Sequence, residues 1–150
     1  MFAALPDAWA AYAGLFATAF VAATLLPAQS ELLFGAMLVS GRFDTAALLA
    51  VATAGNTLGG LTNWVLGRSI ERFRDRRWFP LGAAQLARVQ RWYERWGKWS
   101  LLLSWVPIVG DGLPLIAGVM RAQLMTVLVL VFLAKGGRYL AIAGAARLLL

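Results

Sequence analysis

Twice in this chain a long apolar run is cut by a proline, and a lone carboxylate follows four residues later. The first pair is Pro27 and Glu31, the second Pro107 and Asp111. A proline removes an amide donor and clashes with the preceding turn, so a helix through either site is broken where its acid sits. Ionisable residues at breaks in matching places of two apolar halves are one way a polar site is built near the middle of a membrane.

Composition sets the solvent for such a chain. Of its 150 residues 61% are hydrophobic and 14% charged, and the mean hydropathy is +0.70. A soluble domain is about half apolar and about a quarter charged, and one of this size has no interior large enough for the excess. The expected fold class is an all-α polytopic membrane protein, since the runs are continuous and lack the alternating ten-residue segments of a barrel. With no cysteine and no histidine, thiolate metal sites and imidazole bases are absent, so proton transfer falls to carboxylates. No metal, no cofactor and no enzymatic role are expected. The first run has no basic residue before Arg42, and Asp7 stands where a positive leader would be; it is expected to be mature structure.

The punctuation divides a single membrane domain into five parts. A re-entrant hairpin is expected over 8–40, a transmembrane helix over 45–66, and a basic amphipathic cytoplasmic connector over 68–98. A second re-entrant hairpin follows over 99–121, broken at Pro107, Gly110, Gly112 and Pro114, and then a transmembrane helix over 124–147. The halves superpose in sequence: Glu31 precedes Asn56 by 25 residues and Asp111 precedes Lys135 by 24, and each long run carries a glycine pair. With the connector cytoplasmic, the hairpins enter from opposite sides, making an inverted repeat with both termini outside. Full crossing by the first block is the competing topology. Gly55, Gly59, Gly60 and Gly67 are expected to let helices approach closely.

Between Arg68 and Lys98 lie nine basic residues against three acids. Trp and Tyr interleave with them, but the positive-inside rule accounts for such a connector, and no nucleic acid is expected. Leu86, Val89, Trp92, Tyr93 and Trp96 recur at helical spacing opposite Arg88, Arg91 and Arg95, the pattern of a helix lying along the membrane surface.

Glu31 and Asp111 sit in apolar surroundings, where a charged carboxylate costs at least ~2.5 kcal/mol. They are the candidates for proton or substrate coupling, with a structural ion pair as the plainer alternative. Lys135 and Arg138 are three apart on one helix face, suited either to neutralise the acids or to bind an anionic headgroup. Asn56 is placed to bridge the hairpin tips; Asn63 is expected to be structural and Arg121 an interfacial anchor.

Three segments carry a family resemblance: Leu25 to Glu31, Gly55 to Asn63 with Gly67 and Arg68, and Arg95 to Gly118 through Pro107 and Asp111. Together they resemble the DedA family (the VTT or SNARE-associated domain), closest to its short YqaA-like branch. The resemblance implies a multi-pass protein of the bacterial inner (plasma) membrane with two opposed re-entrant hairpins. It also implies translocation of a lipid, undecaprenyl phosphate or phospholipid, with proton coupling; eukaryotic relatives of the domain act as lipid scramblases. The larger family tends to carry two arginines around Pro107, where this chain has Ser104 and Gly110. Lys135 and Arg138 are the candidate replacements. Expected partners are membrane lipids, anionic phospholipid or polyprenyl phosphate, and a second copy in a homodimer. A small-ion or solute transporter and a non-transporting membrane assembly protein are the alternatives.

Overall fold

The computed structural model describes residues 5–24, 29–69, 83–105 and 112–149. Among these every regular element is helical: α1 Leu5–Thr24, α2 Gln29–Val39, α3 Thr45–Arg68, α4 Ala83–Trp96, a 3-10 segment Gly97–Trp105, α5 Leu113–Val119 and α6 Leu124–Leu149. At 1.5 Å per residue, α3 and α6 are roughly 36 and 39 Å long, α1 about 30 Å, α2 about 16 Å and α5 about 10 Å. Among the described residues α6 is the one helix both long and apolar enough to cross a membrane. α3 has the length, but Asn, Thr and Gly dilute its apolar character; those residues face α1, α5 and α6.

α3 starts because Asp44 caps it: the carboxylate accepts from the Ala47 amide at 2.8 Å. The Tyr12 hydroxyl accepts from the Asp44 amide at 3.2 Å, which sets the start of α1 level with the start of α3. Further along, Gly55 faces the Phe16 carbonyl and Gly59 the Phe20 carbonyl. Equal steps in both chains mean that α1 and α3 run parallel. A Cβ at these glycines would stand 2.6 and 2.5 Å from those oxygens, so the crossing is as close as two backbones allow. α2 therefore turns the chain back, from mid-level on α3 to the end where Asp44 lies.

α5 and α6 pack against the other half of α3. Gly60 faces Pro114, and Gly67 meets α5 at Leu115 and Val119, so α5 runs parallel to α3 from its middle to its far end. α6 is antiparallel to α3: Gly60 faces Val131, and Gly136 faces Thr53. The two short helices thus start near the middle of the α3–α6 pair and run to opposite ends. Each closes in a left-handed turn ten residues beyond its half's acid. Gly41 (φ 66°) donates to the Leu38 carbonyl and Arg121 (φ 56°) to that of Gly118, the latter supported by Ala122 donating to Ala117.

One arm differs from a plain helix. α4 stops at Gly97, whose φ of 64° turns the chain, and the approach to α5 continues as a nine-residue 3-10 segment. Runs of this kind rarely exceed four residues; at 2.0 Å per residue it reaches about 18 Å, further than an α-helix of equal length. α4 itself is amphipathic, with Arg88, Arg91 and Arg95 exposed while Trp92 and Tyr93 pack toward Trp64 and Leu101. Burial pushes the Tyr93 phenol above its ordinary range, so it stays neutral there.

Packing is divided into two apolar clusters. Leu15, Phe34, Met37, Leu48, Ala52, Tyr139 and Ala143 fill one end. Trp64, Leu101, Leu113, Ala117, Val127, Leu130 and Val131 fill the other. Between them, at mid-level on α3 and α6, lies a buried polar layer of Ser30, Thr53, Asn56, Thr57, Lys135 and Arg138.

Candidate functional site: a polar layer between two apolar cores

Glu31 stands in the first turn of α2, where the helix dipole and the free amides favour negative charge. It forms an ion pair with Arg138 of α6. Arg138 is buried, whereas a quarter of the Glu31 side chain remains exposed, so the acid is the member of the pair that surroundings can reach. Lys135, one turn earlier on the same face of α6, is wholly buried. Burial of such charges is sustained only by partners, since an isolated ion in a low-dielectric interior costs several kcal/mol.

A chain of hydrogen bonds lies beside the pair. Asn56 Nδ2 donates to the Ala19 carbonyl and to the Tyr139 hydroxyl, both at 3.2 Å, and Tyr139 donates to Ser30 Oγ at 3.0 Å. Four helices (α1, α3, α6 and α2) are joined in this sequence. The Tyr139 ring packs on Phe34 with centroids 5.1 Å apart. Asn63, two turns along α3, donates to the Ala23 carbonyl at 2.9 Å. Within the layer, the buried Asn56 Oδ1 and Thr57 Oγ1 have no hydrogen-bond partner among the described residues. Buried acceptors in this state are uncommon.

Glu31, Asn56, Lys135 and Arg138 are thus gathered in one layer. Pro114 falls in the first turn of α5, where its missing amide costs nothing. Pro27, Pro107, Gly110 and Asp111 lie outside the described residues. Tyr139, Ser30 and Thr57 join the site without having been singled out. Tyr139 carried a signal, a hydroxyl next to Arg138 inside an apolar run; Thr57 carried none, because only the helix crossing buries it. No group of His, Cys, Asp and Glu able to hold a metal occurs among the described residues. The layer brings a carboxylate, an arginine and a lysine together in the interior of the helices.

Comparison with known proteins identifies the company this chain keeps. It is 44% identical over 131 residues, 87% of either chain, to proteins of Escherichia coli (strain K12) and Shigella flexneri, each named inner membrane protein YqaA. It is 38% identical over 135 residues to an uncharacterized protein of Haemophilus influenzae, covering 85% of this chain and 82% of that one. No family model and no solved structure matches. Identity at this level across most of both chains means that the chain belongs to the family of inner membrane protein YqaA.

Proposed function

We propose that the chain is a multi-pass transporter of DedA type that translocates a lipid across the inner membrane. Its headgroup, that of a phospholipid or polyprenyl phosphate, passes through the polar layer while the hydrocarbon stays in the bilayer. α1 with α2, and the 3-10 segment with α5, act as re-entrant hairpins of an inverted repeat. What supports this is that α2 and α5 both begin near mid-level and run outward to opposite ends. At about 16 Å, α2 is half the thickness of a hydrocarbon core of about 30 Å.

One observation carries the reading: a buried arginine and lysine share a mid-level layer with a carboxylate paired to that arginine. An anionic phosphate competes with Glu31 for Arg138. Protonation of Glu31 releases the arginine, and this couples headgroup binding to a proton. Asp111 serves the same purpose in the second half.

A fluorescence-quench flip assay in proteoliposomes tests it, with labelled phospholipid and labelled polyprenyl phosphate run separately, with and without a pH gradient. Flux of one of them is expected, lost in Glu31→Gln and in Asp111→Asn protein that still elutes as a single folded species. Undiminished flux in both variants would remove the proton role. No flux of either lipid from folded protein would remove the translocation reading.

A further inference from the structure

Arg88, Arg91 and Arg95 follow one another at intervals of about one turn along α4, and all three are exposed. Spacings of three and four residues put them on one face of the helix. The packed side is already occupied, since Trp92 and Tyr93 lie against the cluster of Trp64 and Leu101. Among the described residues none of the three arginines forms an ion pair. Glu94 is exposed on the same helix, and the face keeps a net positive charge. Like charges one turn apart repel, so this helix is complete in its packing and incomplete in its charge.

Two exposed indoles lie beside the arginines. Trp96 is 57% exposed, and the Arg95 guanidinium stands 5.8 Å from its ring centroid. Trp99 is 64% exposed and shares a recess with Met125 and Val129, which sets it level with the first turns of α6 at one end of the bundle. The other end is balanced in charge: Arg42 and Arg147 are exposed there together with Asp7 and Asp44.

We propose that the basic face of α4 binds the headgroups of anionic phospholipids in the leaflet it borders, and so enriches them at this end of the protein alone. Guanidinium is suited to phosphate, and a cluster of arginines at a bilayer surface attracts anionic lipid. Three arginines also suit a nucleic acid or an acidic protein, but exposed tryptophans at the end of a membrane bundle belong to the headgroup level. The inference rests on the inner-membrane location of the family and is independent of lipid translocation.

The test uses the full chain in phosphatidylcholine vesicles that carry, as a minor component, either brominated phosphatidylglycerol or brominated phosphatidylcholine, with bromine near the headgroup. Bromine quenches nearby indoles, and the contribution of Trp96 and Trp99 is the difference from protein carrying Trp96→Phe and Trp99→Phe. Phosphatidylglycerol is expected to quench these two several-fold more strongly than phosphatidylcholine, less so as salt is raised. The preference should vanish when Arg88, Arg91 and Arg95 are all changed to Gln, and survive when all three are changed to Lys, which separates charge from folding. It should be unchanged in protein carrying Arg42→Gln and Arg147→Gln. Equal quenching by the two lipids would overturn the proposal, as would a preference that persists in the triple Gln variant. An equal loss in the variant of the opposite end would overturn it too, by assigning the effect to overall charge. Equal quenching joined to arginine-dependent binding of an RNA or an acidic polypeptide would reassign the face to that partner. No outcome depends on lipid flux, so failure of translocation and failure of this site are read separately.

Discussion

Arg121 holds a left-handed backbone conformation, φ 56°, at the turn where the first half uses Gly41 at φ 66°. That conformation costs an L-residue roughly 1–2 kcal/mol, part of which glycine returns through its freer unfolded chain. Arg121→Gly should therefore stabilise the protein by about 0.5–1 kcal/mol, seen as a higher thermal midpoint in detergent. A lower midpoint would show that the arginine side chain contributes more than its backbone costs. The opposite sign is expected at the buried pair. Arg138→Ala leaves Glu31 without its cation and should cost about 3–5 kcal/mol. Removing both charges should cost less than the sum of the single changes, a coupling that a double-mutant cycle reads directly. At the start of α3, Asp44→Ala deletes the cap to the Ala47 amide and should cost about 1 kcal/mol.

Helix-to-helix spacing is where glycine decides the outcome. A Cβ on Gly67 would collide with the Leu115 carbonyl, and one on Gly118 with the Trp64 carbonyl. Gly67→Ala and Gly118→Ala must each push α5 off α3, at about 1–3 kcal/mol. Gly144, inside α6 with nothing within 4 Å of a Cβ, is the control. There alanine should stabilise by about 0.5–1 kcal/mol through helix propensity, and chemical denaturation of the three variants separates the two classes. These elements were unequally legible in the chain. The starts of α3 and α6 coincide with the starts of the two long apolar runs, because Asp44 and the turn at Arg121 punctuate them locally. The 3-10 form of Gly97–Trp105 was not legible, since its run of Trp and Leu reads equally well as a helix and only the distance to be covered distinguishes the two. Within the site, Lys135 and Arg138 stood out as charges in an apolar run. Which acid meets which cation depended on how α2 crosses α6, and no local spacing encodes a contact made 107 residues apart.

On the scale of the whole molecule, polar residues form a layer between two apolar clusters. With the bilayer's two faces beyond the clusters, such a layer lies at mid-membrane, where charges are costly and persist through pairing such as that of Glu31 with Arg138. The proposed lipid transport and the proposed role of Glu31 depend on two hairpins that enter from opposite faces. The chain has no cysteine, so single cysteines report position without background. The most direct measurement is labelling of Ser40→Cys and Gln123→Cys in spheroplasts with a membrane-impermeant maleimide. Ser40→Cys should react from outside, and Gln123→Cys only after the membrane is permeabilised. Reaction of both positions from the same side would contradict opposed hairpins and with them a polar layer at mid-membrane.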